Sequence, residues 1–252
     1  MKTIAYMALH YGREYLAHAI RSTIADVDEF WVLYTPTPSH GTQNGATCPD
    51  ARDVLYTTAL EAAGSKFRWH DGTYHHEGEH RDTIFTLVPD ADLVLVVDAD
   101  EIWAEGLAKH ALATAWADDT IRNWRVPMIH LWRAFDKAIL RDSAYPTRVI
   151  RPAIPIPDGL AATVEQRRPR DVIAHFGYAQ RQAIIEYKMS IHGHRGEFRT
   201  DCDWFSDIYL TNRQHDCHPC GQNTWTTEVI EPLDWMPKWM REHEHYGKKV
   251  IW

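Results

Sequence analysis

Short apolar runs alternate with segments of helical hydrophobic spacing through the first hundred residues. The apolar runs predict strands, and apolar residues recurring every three or four positions predict helices. Asp50 is predicted to cap the helix that follows it. The predicted strands are 3–9, 29–35, 66–70 and 91–97, and the predicted helices are 13–25, 51–63 and 77–88. Strands separated by helices in this way indicate βαβ units, with parallel strands covered on both faces.

The remainder of the chain is less regular. Helices are predicted at 104–116, 180–189 and 198–210, and strands at 124–132 and 148–154. Prolines and a glycine between residues 152 and 159 indicate turns. The pattern as a whole predicts an α/β fold of the Rossmann type, in which helices flank a mixed, mainly parallel sheet and an irregular C-terminal region follows.

Composition narrows the function classes. The 252 residues are 44% hydrophobic and 25% charged, with a formal net charge of −8, which argues against a general nucleic-acid binder. The sequence contains neither an apolar run long enough to span a membrane nor a signal-peptide pattern at its start, so a cytoplasmic location is expected, or the host cytoplasm for a viral protein. Arg167, Arg168 and Arg170 form a basic cluster that could meet phosphate or belong to a solvated loop.

Two aspartates follow the most apolar predicted strand. Asp98 and Asp100, with Ala99 between them, come directly after the run LVLVV. If the strand continues, both carboxylates project to one side, where they would repel each other unless a cation lay between them. Mg²⁺ and Mn²⁺ prefer such oxygen ligands. Alternatively, Asp100 caps the next helix, but a cap gives no reason for Asp98.

The order of these elements resembles the A-type-fold glycosyltransferases, and most of all their large inverting, family-2-like group with a DxD motif. The resemblance rests on a glycine-bearing loop after the first strand, a helix containing His80-Arg81-Asp82, and the segment LVLVVDADEIW. It implies one domain over residues 1–252, with a nucleotide-sugar-binding half at 1–103 and an acceptor-binding half at 104–252. It also implies that Asp98 and Asp100 hold the donor diphosphate, with UDP the usual nucleotide, through Mn²⁺ or Mg²⁺.

The same resemblance implies further donor contacts. Leu9, His10 and Tyr11 would contact the nucleotide base, and Arg81 would lie near the phosphates. The alternative for Arg81 is a surface ion pair with Glu77, four residues earlier. The chain departs from the family pattern at the end of the second strand, where no carboxylate is present to hold the ribose or base.

A histidine from the second half often completes the metal site of such enzymes. The candidates are His175, within His-Phe-Gly-Tyr, and His192 or His194, within His-Gly-His. Together with Lys188, these residues look like the donor-closing segment of related transferases. A neutral imidazole can join carboxylates at Mn²⁺, and the lysine could offset diphosphate charge.

Inverting transfer would also need a carboxylate base that takes the proton from the acceptor hydroxyl. Asp142 and Asp158 are favoured because both lie in predicted loops on the acceptor side. Asp136, Glu165 and Asp171 are the other carboxylates considered. Trp124, Trp132, Tyr145 and Tyr178 are candidate stacking faces for an acceptor.

The remaining alternatives concern the acceptor and the cysteines. A saccharide is the default acceptor, and a modified DNA base, as in phage-type DNA glycosylation, is the other. A nucleotidyltransferase and a non-enzymatic sugar-binding module are the competing functions. Cys217 and Cys220 form a single CxxC, which without a second clean pair favours packed thiols over structural Zn²⁺.

Overall fold

The computed structural model describes residues 1–39, 45–139, 145–153, 160–168, 171–191, 200–211, 216–217, 224–225, 227–229 and 236–248. The strands are β1 Thr3–Leu9, β2 Glu29–Tyr34, β3 Phe67–Asp71, β4 Leu93–Val96, β5 Glu101–Trp103, β6 Asn123–Arg125, β7 Met128–Trp132, β8 Lys137–Ile139, β9 Thr147–Ile150, β10 Ala161–Thr163, β11 Ile173–Tyr178, β12 Asp216–Cys217, β13 Thr224–Trp225 and β14 Thr227–Val229. The α-helices are α1 Arg13–Thr23, α2 Arg52–Ala63, α3 Glu77–Leu87, α4 Leu107–Ala117 and α5 Gln182–Ile191. Shorter helical turns are of the 3₁₀ type at Ile24–Asp26, Gly64–Lys66 and Lys238–Glu242, and of the π type at Trp204–Tyr209.

A seven-stranded sheet forms the centre of the fold, in the order β10-β6-β9-β4-β1-β2-β3. The four strands from the first hundred residues run parallel to one another, and β9 runs antiparallel to both β4 and β6. A second sheet, in the order β14-β8-β7-β11-β5, joins parallel β7 and β11 to antiparallel neighbours. The predicted fold class, a mainly parallel mixed sheet flanked by helices, is confirmed.

Strand β1 explains why the central sheet is buried on both faces. Successive side chains of a strand point to opposite faces. Ala5 and Met7 accordingly face the core that contains α1 and α2, whereas Ile4 and Tyr6 face the smaller core under Ile84 of α3. All of these side chains are almost completely buried. Apolar residues are therefore favoured on both faces of this strand from Ile4 onward, and that is why the sequence shows a continuous run rather than alternation.

The predicted elements of the first hundred residues are all present, with ends shifted by a few residues at most. The predicted strand at 124–132 is instead two strands, β6 and β7, which belong to different sheets. Pro127 lies between them and lacks the N–H that a continuing strand would donate. Its carbonyl accepts from Ile173 N at 2.9 Å, so the chain enters the second sheet directly after the proline.

Three other predictions in the second half need correction. The helix predicted at 104–116 begins only at Leu107, because Gly106 takes a left-handed conformation immediately before it. The helix predicted at 198–210 is a single wide turn, Trp204–Tyr209, capped by the Asp203 side chain at Ser206 N. The strand predicted at 148–154 ends at Ile150. Among the described residues, no helix has the length and apolar character needed to cross a bilayer.

Asp50 does not cap the helix that follows it. Helix α2 begins after Ala51, with no side-chain cap. Asp50 Oδ2 instead accepts hydrogen bonds from the backbone N–H groups of Gly12 and Arg13, at 2.8 and 3.0 Å. The Asp50 carboxylate thus accepts hydrogen bonds from backbone N–H groups at the start of α1 that have no partner within the helix. Asp50 therefore caps a helix that is distant from it in sequence. This contact fixes the β1–α1 loop, which lines the site described next.

Candidate functional site

A cleft of about 280 Å³ opens at the carboxyl ends of the parallel strands. Its walls come from the β1–α1 loop, the segment after β2, helix α3, the turn after β4, and the second half of the chain. In open α/β sheets ligands bind at this edge. The lining residues are Ala8, His10, Tyr11, Gly12, Pro38, Ser39, Glu77, His80, Arg81, Asp98, Ala99, Asp100, His175, Gln180, Lys188 and Ile191.

The turn after β4 presents the two aspartates to this cleft. The strand ends at Val96, so Asp98 and Asp100 lie in a turn rather than in continuing strand geometry. The turn is closed by Glu101 N, which donates to Asp98 O at 3.1 Å. Ala99 packs against Gly12, where an added Cβ would come within 2.7 Å of the alanine Cβ. Gly12 also has φ +131°, a conformation that side chains disfavour, so glycine is required at this contact.

Asp98 is bound by two arginines. Its Oδ1 accepts from Arg81 Nη1 at 3.1 Å, and its Oδ2 accepts from Arg148 Nη2 at 2.9 Å. Burial raises the pKa of Asp98, but the charges of Arg81 and Arg148 outweigh burial and hold this pKa well below its usual range. Arg81 also donates from Nε to Glu77 at 2.7 Å. The ion pair with Glu77 is therefore present, and Arg81 also lines the cleft, so its place near the donor phosphates stays a prediction.

Arg148 and Glu101 form a buried pair behind this turn. Arg148 Nε donates to Glu101 Oε2 at 2.7 Å, and its Nη2 contacts Glu101 Oε1. Arg148 is 9% exposed and Glu101 is 1% exposed. Burial raises the pKa of Glu101, and the Arg148 charge opposes that rise. Arg148 thus links the Glu101 carboxylate to the Asp98 carboxylate from β9, the strand beside β4.

Asp100 has a different set of neighbours. Gln180 Nε2 donates to its Oδ2 at 3.2 Å, and Lys188 Nζ lies 3.9 Å from the same oxygen. His175 Nε2 lies 3.7 Å from Oδ1. Burial raises the pKa of Asp100, Lys188 lowers it, and Asp98 raises it further, with a net rise. Asp100 is therefore the carboxylate that pairs with the histidine and lysine of the second half, and His175 acts on the pKa of Asp98 as well.

His175 is held in place by a second histidine that sequence reasoning missed. His130 Nδ1 and His175 Nδ1 share a hydrogen bond of 2.7 Å across β7 and β11, whose registers align these two residues. Burial, followed by the proximity of His130 and Lys188, lowers the pKa of His175 well below its usual range. His175 is therefore a neutral imidazole with Nε2 directed at the cleft.

The opposite wall is fixed by buried hydrogen bonds. His10 Nδ1 donates to Thr35 O at 2.9 Å, so its Nε2 accepts from the Tyr187 hydroxyl at 2.7 Å. His80 Nε2 donates to Leu33 O at 2.7 Å, so its Nδ1 accepts from Ser39 at 2.8 Å. Burial lowers the pKa of His80 to about 4. Both imidazoles are neutral supports of the wall.

Comparisons with known proteins do not assign the chain to a family. No protein-family model matches the sequence, and no curated protein matches it. Among solved structures, the fold is similar to S. aureus TarS 1-349, with a TM-score of 0.41, 15% identity, and coverage of 61% of this chain and 48% of that one. A second TarS structure gives a TM-score of 0.43 at 12% identity, covering 83% of this chain and 43% of that one. The chain thus spans less than half the length of either, and such low similarity leaves function to be inferred from the site itself.

The structure brings most of the predicted cleft residues together. His10, Tyr11, Arg81, Asp98, Ala99, Asp100, His175 and Lys188 all line the cleft. Leu9 does not, because its side chain belongs to the hydrophobic core and is 1% exposed. Asp142, Asp158, His192 and His194 lie outside the described residues, as do Arg170 and Cys220 and the side chain of Cys217, so those predictions stay predictions.

The predicted acceptor-stacking aromatics need correction. Trp132 is 0% exposed, and Trp124 and Tyr178 are almost completely buried. Trp132 and Tyr178 pack with Trp204 and Tyr209 in a separate core cluster. Their size serves packing under the second sheet. Tyr145 alone of the four remains partly exposed.

The basic cluster is also less available for binding phosphate than its sequence suggests. Arg168 donates from Nε and Nη2 to Asp171 Oδ1, at 2.9 and 2.7 Å. The same ion pair occupies Asp171, one of the carboxylates considered as a base. Of the two described arginines in this cluster, Arg168 has its charge compensated.

Proposed function

We propose that the protein is a divalent-cation-dependent glycosyltransferase that moves a sugar from a nucleoside diphosphate sugar, with a UDP-hexose as the expected donor, to a saccharide hydroxyl. The observation that carries this proposal is the meeting of Asp98, Asp100, Arg81, Lys188 and His175 at one sheet edge. These residues come from distant parts of the chain, and each supplies chemistry that a diphosphate leaving group needs.

Charge in the cleft favours a cation. Among the lining residues, Glu77, Asp98 and Asp100 are carboxylates, whereas Arg81 and Lys188 are the cations. His175 is neutral, and Arg148 behind the turn is compensated by Glu101. A diphosphate would therefore enter a cleft with an excess of negative charge. A divalent ion reverses that sign, and when bound it would neutralise the charge that develops on the departing diphosphate.

Asp100 and His175 are the best-placed ligands. Their facing atoms are 3.7 Å apart, close to the spacing of two donors on one ion. When His175 Nδ1 donates to His130, Nε2 keeps its lone pair on the side of Asp100. Asp98 is occupied by Arg81 and Arg148, so we assign it first to holding Arg81 beside the diphosphate, and to the ion once Arg81 engages phosphate.

The β1–α1 loop favours this function over nucleotidyl transfer. A nucleotidyltransferase normally uses a glycine-rich, basic phosphate loop after the first strand. Here the N–H groups of Gly12 and Arg13 are already occupied by Asp50, so they do not bind phosphate. A sugar-binding module without catalysis would have no need for the buried charge network at the turn. The acceptor base remains assigned to Asp142 or Asp158 as a prediction.

Thermal unfolding with a panel of nucleotide sugars tests the proposal. We expect a UDP-sugar to raise the melting temperature by several degrees with Mn²⁺ present and by much less without it, because binding only to the folded state stabilises it. Free UDP should act similarly, whereas nucleoside triphosphates should not surpass it. Stabilisation by duplex DNA rather than by a saccharide would indicate that DNA is the acceptor. Equal stabilisation by the UDP-sugar with and without Mn²⁺ would refute cation dependence.

Gly177 provides a test of His175 within this function. A Cβ at Gly177 would lie 2.4 and 2.6 Å from two ring atoms of His175 and 3.2 Å from Lys188 Nζ. Gly177→Ala should therefore displace both groups and lower the transfer rate by about 100-fold, a typical effect of a displacement of about 1 Å. Gly78→Ala, whose Cβ would meet only His76, is the matched control and should keep full activity. Steady-state kinetics measure the transfer rate of both variants, and equal rates would remove His175 from the site.

A further inference from the structure

A second cluster of metal-ligating side chains lies where the C-terminal segment packs on α1. Glu14, Glu244 and His245 each offer one ligand atom, and these atoms lie within 4.8 Å of one another. None of the three lines the cleft. Glu14 belongs to the first turn of α1, and the other two come from the opposite end of the chain.

The two inner ligands are buried. The side chains of Glu14 and His245 are 3% and 4% exposed, and Glu14 Oε1 contacts His245 Nε2. Apart from this contact with each other, neither atom has a hydrogen-bond partner within the part of the chain that the structure describes. Two buried metal-ligating atoms that have only each other as partners mark the point where they converge as the place for a ligand.

Glu14 Oε2 and the Glu14 backbone carbonyl already have partners. Its Oε2 receives long contacts of 3.5 Å from Arg181 N and Nε, and its backbone carbonyl accepts from His243 Nε2 at 3.2 Å. Only Oε1 is directed at His245. Glu244 is exposed, and its Oε1 lies 3.8 Å from His245 Nε2. Glu244 is therefore the ligand on the solvent side of the cluster.

We propose that Glu14, Glu244 and His245 bind a divalent transition-metal cation such as Zn²⁺, which fastens the C-terminal segment to α1. One imidazole nitrogen and two carboxylate oxygens are ligands that Zn²⁺ accepts, with water in the remaining position. The site is independent of the proposed glycosyltransferase activity. The consequence of binding is structural. A bound cation would hold the first turn of α1, and α1 begins directly after the loop that lines the cleft.

Lys248 makes the proposal sharply testable. Its ammonium lies 3.2 Å from His245 Nδ1 and can only donate, which places the imidazole proton on Nε2 while the cation is absent. Metal at Nε2 requires the proton on Nδ1, so Lys248 must withdraw when the ion binds. This side chain is exposed and can do so. Removing the lysine should therefore strengthen metal binding.

Zn²⁺ affinity is measured by competition with a chromogenic chelator, in protein carrying Asp100→Asn so that the cleft does not contribute. We expect one equivalent to bind, with about 10-fold weaker binding in Glu244→Gln and about 100-fold weaker binding in His245→Gln. Lys248→Met should bind more tightly. Glu242→Gln, also exposed on the same segment, is the matched control and should bind as the parent does.

Glu244→Gln keeps the test decisive even if His245→Gln fails to fold, because Glu244 is 69% exposed and its loss disturbs no packing. Equal Zn²⁺ affinity in Glu244→Gln and Glu242→Gln would overturn the proposal. Weaker binding after Lys248→Met would overturn it as well, since that result would make the cluster a hydrogen-bonded network that needs the lysine.

Discussion

Replacing Asp100 with asparagine is expected to lower the rate of sugar transfer by about 1000-fold while the protein remains folded, the scale on which loss of a key electrostatic group acts. The amide keeps the shape of the side chain and can still accept from Gln180, so packing is preserved. What is lost is the negative charge that faces His175 and Lys188. The concentration of Mn²⁺ needed for half-maximal activity should rise as well.

Asp98→Asn should behave differently, and the comparison separates catalysis from folding. Arg81 and Arg148 share the Asp98 carboxylate, so its neutralisation leaves two guanidinium groups with less compensation. We expect that variant to lose both activity and stability, whereas Asp100→Asn loses activity alone. Asp119→Asn, at an exposed position, is the control for both. Transfer kinetics and thermal unfolding of the three variants suffice, and an Asp100→Asn enzyme within threefold of the parent rate would rule out our assignment of the cation.

The parallel half of the fold was predictable because local patterns there coincide with tertiary requirements. Residues 3–9 read as a buried strand, and the structure places them at the centre of the sheet with both faces covered. The second half was predicted less well, because its short strands depend on pairing partners distant in sequence. Pro127 was visible in the sequence, but the separation of β6 and β7 into two sheets depends on β9 and β11.

The site was predictable where chemistry and position coincide in sequence, as at Asp98 and Asp100 directly after β4. Arg148 and His130 were missed because each is the single titratable residue in an otherwise ordinary strand. Their importance comes from strand neighbours, since β9 lies beside β4 and β7 lies beside β11. Arg148 did carry a signal in the sequence, because it lies on a predicted strand. A buried charge needs a partner of opposite sign, so an arginine there indicates a carboxylate nearby.

Removing Arg148 is expected to cost about 3–5 kcal/mol of unfolding free energy, the range for breaking a buried ion pair on one side. In Arg148→Met the side chain keeps comparable apolar length, but Glu101 becomes a buried carboxylate without its guanidinium partner. Urea unfolding measures the change. Arg125→Met, on the neighbouring strand β6 with an exposed side chain, should shift stability by less than about 0.5 kcal/mol.

The pH dependence of Arg148→Met identifies the cause of its instability. Burial raises the pKa of Glu101 even in the parent protein, where Arg148 opposes the rise. Without Arg148, the folded-state pKa lies further above the unfolded value, so the folded protein holds a proton more tightly. The variant should therefore approach parental stability below the unfolded pKa and lose it as pH rises through the folded pKa. Adding Glu101→Gln should restore much of the lost free energy at neutral pH, because the uncompensated charge is gone. A double variant as unstable as Arg148→Met alone would instead attribute the loss to the packing of the arginine side chain and to its bond with Asp98.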